Sequence, residues 1–231
     1  KVYARLAMQA GALDRTEYVA LRAVQGYGHT EGKRVDEARP TARVGAKKAE
    51  PVPLSWEQMH RLKTQPNTPQ GRRDALLLCL LLDHGLRVGE VSRLQVGDLD
   101  LALGELRFYR PKVDRTQLHR LTADTRRAAK AYAGAGDMPA EGPLLRGSRR
   151  GGRLTAAGMS ERAITARVRE LGAAVGVAGL SAHDLRHAWA TRAARNGTPL
   201  DRLQDAGGWS SPAMPLRYVE AARVANEGVR V

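Results

Sequence analysis

His183-Asp184-Leu185-Arg186-His187, Gly207-Gly208-Trp209-Ser210-Ser211 and Tyr218 follow one another near the carboxyl end of the 231-residue chain. Their setting is helical. Apolar periodicity predicts helices over about 159–175, 182–196 and 199–206, and a last helix around Tyr218. Asn196-Gly197 is a stop signal for the second of these, and Pro199 suits the first turn of the third, where its missing N–H is not needed. On the 182–196 helix, His183 and Arg186 are three residues apart and share a face.

Upstream, residues 134–155 are rich in Gly and Pro among basic residues and are expected to form a loop. Thr122 can cap a helix running to about Ala133. Leu99-Asp100-Leu101 and Leu106-Arg107-Phe108-Tyr109 alternate like strands around a turn at Gly104, with Gln117 to Leu121 as a third strand. Before them lies a strongly apolar helix from about Pro69 to His84, ended by Gly85, and then a short helix from Val88 with Glu90 in its first turn. Ser55 and Gln58 have capping-box spacing and open the compact part of the chain. The expected fold is mainly α with one small antiparallel β-sheet, an α+β arrangement.

Ahead of Ser55, residues 1–28 read as one or two short helices, the second capped by Asp14 or Thr16. The stretch from Gly28 to Pro53 has linker composition, charged and without apolar periodicity. The expected division is therefore a helical segment over 1–28, a basic linker over 29–53, and a main domain with a carboxyl-terminal tail over 54–231. The chain opens on Lys, so a fragment is an open reading.

Hydrophobic residues make up 42% of the chain, enough for a packed core, while aromatics at 4% favour a Leu- and Ala-packed helical interior over a β-sandwich. The net charge of +14 sets up a positive field suited to a polyanion, of which nucleic acid is the commonest. The plain alternative is an arginine-rich protein from a GC-rich genome. Cys79, the one cysteine, excludes an intrachain disulfide and lies in the apolar run Ala75–Leu82, as a buried inert thiol would. No stretch reaches the ~18 apolar residues of a membrane span, and no signal-type segment follows Lys1–Arg5. The expectation is a soluble cytoplasmic protein, nucleoid-associated if prokaryotic.

A tyrosine that cleaves a phosphodiester needs company. Phenol, with an ordinary pKa of about 10, requires a base or positive surroundings. Arginines suit the non-bridging oxygens because their planar donors pair two at a time and stay charged. The leaving 5′-oxygen needs a proton, for which Lys is a common source. Gly85-Leu86-Arg87-Val88-Gly89-Glu90 supplies an arginine at a helix start with an acid three residues on, and Lys112 follows the Leu106–Tyr109 strand, where a hairpin reaches outward.

The order Gly-Leu-Arg-x-x-Glu, strand-hairpin Lys, His-x-Leu-Arg-His, Gly-Trp-Ser-Ser and Tyr resembles that of the tyrosine recombinases, or phage integrases, over about Ser55 to Ala225. The resemblance implies the catalytic-domain fold of that family and a site-specific recombinase that holds a 3′-phosphotyrosyl intermediate. In it Arg87 and Arg186 hold the scissile phosphate and Lys112 protonates the leaving oxygen. His183 assists proton transfer with the tyrosine, Trp209 stands where His is usual and can donate but not act as a base, and Tyr218 is the nucleophile. Glu90 orients the arginines. Bond energy kept in the phosphotyrosyl ester implies no ATP, and the charged side chains imply no metal or other cofactor. The implied partner is double-stranded DNA, bound by a homotetramer on two sites, with no membrane and no small-molecule substrate.

Plainer readings remain for single parts. Taken alone, Tyr218 is an ordinary half-buried tyrosine and Arg87 a surface arginine. Arg110 or Arg115 is the alternative to Lys112 in facing DNA, and Arg149, Arg150 and Arg153 form a solvated charge run or a phosphate contact. His183 and His187 have the i, i+4 spacing of zinc ligands, but Asp184 stands where a metalloprotease carries Glu, so His187 is read as a structural residue beside Arg186. Gly207 replaces an apolar residue usual in the family and is expected to loosen its turn. The competing functions are a catalytically silent DNA-binding protein on this scaffold, a type IB topoisomerase and, disfavoured by the scarcity of stacking aromatics, an RNA-binding protein.

Overall fold

A computed structural model of the chain describes residues 2–23 and 51–222. Most of the expected linker and of the carboxyl-terminal tail lies outside the described residues. The chain divides into two compact units, Lys1–Ala49 and Glu50–Val231. In the first, α1 (Val2–Gln9) and α2 (Arg15–Ala23) are the two short helices expected. Asp14 caps α2: its carboxylate accepts from the Glu17 N–H at 2.8 Å, and the Glu17 carboxylate accepts from the Asp14 N–H at 3.0 Å.

The second unit is organised around α4 (Pro69–Leu82), whose residues Leu76 to Leu82 are all buried. Such a helix is apolar all round because it is covered on every side. Thr68 caps it through the Gly71 N–H at 3.1 Å, and Pro69 occupies its first turn. Around it pack α3 (Trp56–Lys63), α6 (Ala123–Gly134) and α8 (Ala182–Arg195). α3 begins with the Ser55–Gln58 capping box, and α6 with Thr122 accepting from the Thr125 N–H. The chain leaves α4 through Gly85, whose φ of +60° suits glycine and whose Cβ would lie 2.2 Å from the Trp189 ring. That close approach places Arg87 at the start of the short helix α5 (Val88–Val91).

Strands β1 (Leu99–Asp100), β2 (Glu105–Arg110) and β3 (Arg115–Arg120) form an antiparallel sheet in that order. Phe108 pairs with Gln117 and Arg110 with Arg115, so the hairpin turns over residues 111–114, with Asp114 at φ +46°. Alternation along β2 sends Leu106, Phe108 and Arg110 inward.

The structure contains a second, two-stranded sheet where the sequence predicts only a loop. β4 (Arg146–Ser148) pairs antiparallel with β5 (Leu154–Gly158) around Gly151 and Gly152, both at positive φ. Strands this short and glycine-rich carry no readable alternation. They hold through Arg146, which donates to the carbonyls of Thr155 at 2.7 Å and Asp137 at 3.1 Å.

The last four helices are α7 (Glu161–Ala174), α8, α9 (Leu200–Gly207) and α10 (Ala213–Ala222). α8 starts with a capping box in which the Asp184 carboxylate accepts from the Ser181 N–H at 2.9 Å and hydroxyl at 2.7 Å. Asp184 also accepts from the Val52 N–H at 3.0 Å, fixing the first turn of α8. Beside the main core, α8, α9 and α10 enclose a smaller apolar cluster of Trp189, Ala190, Leu203 and Tyr218. No helix among the described residues is long and apolar enough to cross a membrane.

Candidate active site

The last carbonyls of a helix have no partner within it, and they form the negative end of its dipole. At the end of α9 three arginines satisfy them. Arg110 donates to the carbonyls of Ala206 at 2.8 Å and Gly207 at 2.6 Å. Arg186 donates to the same Gly207 carbonyl at 2.6 Å, and Arg87 donates to Gly208 at 2.9 Å. Arg186 also donates to the Gly85 carbonyl, tying the α4–α5 turn to the α9–α10 turn. Residues distant in sequence are thereby locked into one shell.

Among the described residues, Glu90 is the carboxylate in contact with these guanidiniums. It accepts from the Arg87 side chain at 2.7 Å and backbone N–H at 2.8 Å, and lies 3.7 Å from Arg110. Arg87, Arg110 and Arg186, with Arg115 nearby, outnumber Glu90 and Asp205 and leave a positive surplus in a partly buried place. Burial, with repulsion from Arg87 and Arg110, pulls Arg186 down to about 9, and burial pulls Arg110 down to about 10. Both stay protonated near neutral pH, and an anion such as a phosphodiester would relieve the surplus.

The turn that gathers the arginines requires its two glycines. A Cβ on Gly207 would lie 1.9 Å from the Trp209 ring, and Gly208 is left-handed with Arg110 2.6 Å from where a Cβ would sit. Gly207 therefore does not loosen the turn. It lets the indole close over Arg186, with the guanidinium carbon 4.6 Å from the ring centroid, while Trp189 stacks on Trp209 at 6.0 Å. Gly207→Ala is expected to displace Trp209 and destabilise the protein by about 1–3 kcal/mol. A lower midpoint in chemical denaturation, with unchanged slope, is the measurement that checks it.

Tyr218 rises from α10 into this setting with 7% of its surface exposed, its ring centroid 5.8 Å from that of Trp209. Burial pushes its phenol above the ordinary value, against the pull of Arg186 and Arg217. Its hydroxyl lies 3.0 Å from Nδ1 of His187, whose Nε2 lies 2.8 Å from Nε2 of His183. His183 is thus linked to the tyrosine through His187, not by direct contact.

Of the six site residues read from the sequence, Arg87, Arg186, Trp209 and Tyr218 gather at the α9–α10 turn, and His183 joins them through His187. Lys112 lies apart on the exposed 111–114 turn and makes no hydrogen bond or ion pair among the described residues. Its neighbour Val113, with Arg115, lines one cleft together with Gly208, Trp209 and Ser210, so the hairpin tip borders the site. Arg115 is half exposed and pairs with Asp205, whereas Arg110 is fully buried and faces the α9 carbonyls in place of any solvent-side partner. The sequence reading puts His187 beside Arg186 as a structural residue and offers Arg110 as a DNA-facing alternative to Lys112; it gives His187 no contact with Tyr218 and Arg110 no contact with the α9 carbonyls. Arg110 had a signal, the inward period of Leu106 and Phe108.

Residues 53–224 match the model of the phage integrase family. The chain is 30% identical over 185 residues to the tyrosine recombinase XerD of Neisseria meningitidis serogroup B, covering 78% of this chain and 62% of that protein. It is 27% identical to the tyrosine recombinase XerC of Herpetosiphon aurantiacus, covering 85% and 65%. The chain thus spans somewhat under two thirds of the length of these relatives. Among solved structures, XerA recombinase superposes with a TM-score of 0.62 at 25% identity, over 75% of this chain and 61% of that one. The Tn1549 transposon integrase in complex with circular intermediate DNA has the same TM-score at 18% identity, over 99% and 82%, a likeness of fold alone.

Proposed function

This chain belongs to the phage integrase family, and on that premise we propose that it is a site-specific DNA recombinase cleaving and rejoining strands through a 3′-phosphotyrosyl link at Tyr218. The observation that carries the reading is the convergence of Arg87, Arg110 and Arg186 on the carboxyl end of α9, where Trp209 of the following turn packs against the Tyr218 ring.

In this reading Arg87 and Arg186 bind the non-bridging oxygens of the scissile phosphate and stabilise the charge that grows there during attack. The Trp209 N–H donates to one of the same oxygens. The Tyr218 oxygen bonds to phosphorus as the bond to the 5′-oxygen breaks, and Lys112, carried in by the hairpin, protonates the leaving oxygen. The freed 5′-hydroxyl of another strand reverses the reaction. Arg110 and Glu90 are positioning residues that fix the turn and Arg87.

The partner is double-stranded DNA, for which the net charge of +14 supplies the long-range attraction. Residues 54–231 form the catalytic domain, 1–28 part of a DNA-clamping segment, and 29–53 the basic linker between them. Four copies on two DNA sites exchange strands, in the cytoplasm and at the nucleoid of a prokaryotic cell. Selection of bound sequences from random duplexes, followed by incubation with a nicked version of the winner, tests this reading. The expected result is a protein–DNA adduct that survives SDS. Tight binding without any adduct would replace the recombinase by a catalytically silent DNA-binding protein.

A further inference from the structure

The Tyr218 hydroxyl sits at the buried end of a file of three side chains. Tyr218 is buried, His187 half-buried and His183 exposed. The hydroxyl lies 3.0 Å from Nδ1 of His187 and 3.5 Å from Nε2, so Nδ1 is its nearer partner, and Nε2 faces His183 at 2.8 Å. His187 and His183, one helical turn apart on α8, meet edge to face with ring centroids 4.4 Å apart and their Nε2 atoms at 2.8 Å. Two ring nitrogens at that distance share one hydrogen: one donates and the other accepts.

We propose that His187 is the catalytic base that takes the Tyr218 proton, and that His183 carries the resulting charge out to solvent. This rests on the reading of Tyr218 as the nucleophile. In the resting site the Tyr218 hydroxyl donates to Nδ1 of His187, and the His187 Nε2–H donates to Nε2 of His183. On attack, the bond from the Tyr218 oxygen to phosphorus forms and the bond to the 5′-oxygen breaks. The phenolic proton moves to Nδ1 of His187 as the Nε2 proton passes to His183, which becomes the imidazolium. The leaving oxygen takes its own proton from the general acid. Religation returns both protons along the same path.

The electrostatics agree with this order. Burial first, then the neighbouring His183 and Arg186, hold His187 below the ordinary histidine value against the opposing pull of Asp184. The ring is neutral near pH 7 and able to accept. Tyr218, raised by burial, does not ionise unaided there, so a base is required. Among the elements packed on α8, α10 contributes Tyr218 itself, with Arg217 acting on the tyrosine. The α4 end contributes Asp83, engaged by Lys63 and Arg192; α9 contributes Asp205, engaged by Arg115; and α7 contributes Glu170, engaged by Arg167. None of these carboxylates competes with the two rings for the phenolic proton.

The test is single-turnover cleavage of the nicked duplex from pH 5.5 to 9.5 by the wild type, His187→Gln and His183→Gln. The wild-type rate should rise with pH and level off once His187 is neutral. His187→Gln keeps a polar side chain but cannot take the proton. It should lose about 10²–10⁴-fold at pH 7 and then gain about tenfold per pH unit with no plateau, as hydroxide replaces the base. His183→Gln should lose less and keep the plateau. In the wild type, ¹⁵N shifts of the histidines should show His187 with Nδ1 bare and Nε2 protonated, a readout independent of how the variants fold. An active wild type alongside His187→Gln of unchanged rate and profile would overturn the relay alone, as would the opposite His187 tautomer. A wild type that forms no adduct would overturn the recombinase reading and the relay with it.

Discussion

Tyr218→Phe is expected to eliminate the SDS-resistant adduct entirely while leaving folding and DNA affinity nearly intact. The substitution removes one oxygen. What that oxygen contributes to the folded state is its hydrogen bond to Nδ1 of His187, worth about 0.5–1.5 kcal/mol. The ring keeps its place in the cluster with Trp189 and Leu203, and its approach to Trp209. The phosphate contacts proposed for Arg87 and Arg186 are untouched, so affinity and its salt dependence should match the wild type. Adduct formation on denaturing gels, beside binding isotherms at two or three salt concentrations, separates lost chemistry from lost binding. An adduct persisting in this variant would move the nucleophile elsewhere.

Arg186→Lys is expected to lower the single-turnover cleavage rate by about 10²–10³-fold, equivalent to roughly 2.7–4 kcal/mol of transition-state stabilisation. The charge survives but the geometry does not. Arg186 divides its donors between the Gly85 and Gly207 carbonyls while its face lies against Trp209. An ammonium group cannot span both carbonyls and still present a paired edge to phosphate. A carbonyl left buried without a donor costs about 1–3 kcal/mol, so a lower denaturation midpoint should accompany the slower rate. Rates are compared where both proteins are folded. A variant that is less stable but cleaves as fast as the wild type would make Arg186 a structural tie between two turns and nothing more.

The parts of this fold visible in the sequence are those governed by local rules. Ser55, Thr68, Thr122 and Ser181 announce their helices because capping is settled within four residues. The motif residues at α5 and α8 are legible for the same reason, since Arg87 is the N-cap of α5 and His183 lies in the first turn of α8. What stayed hidden depends on contacts distant in sequence. Arg110 lies on the inward face of β2, yet a basic residue beside a hairpin reads as solvent-facing until the unsatisfied carbonyls of α9 are placed opposite it. Gly207 reads as a weak point in its turn until the Trp209 ring, 1.9 Å from where a Cβ would sit, shows that no side chain fits. His187 follows a similar logic: its spacing from His183 was plain, but its place between His183 and Tyr218 depends on α10 folding back over α8. β4 and β5 offer glycines where a strand pattern would need alternation.

Tyr218 as nucleophile requires that this residue alone carry the DNA in the adduct. That is tested most directly by isolating the adduct formed on nicked duplex, trimming it with nuclease and protease, and locating the residual nucleotide by mass spectrometry. The expected product is a peptide containing Tyr218 with the nucleotide attached through its 3′-phosphate. A nucleotide on any other residue, such as the exposed hairpin Tyr109, would contradict it.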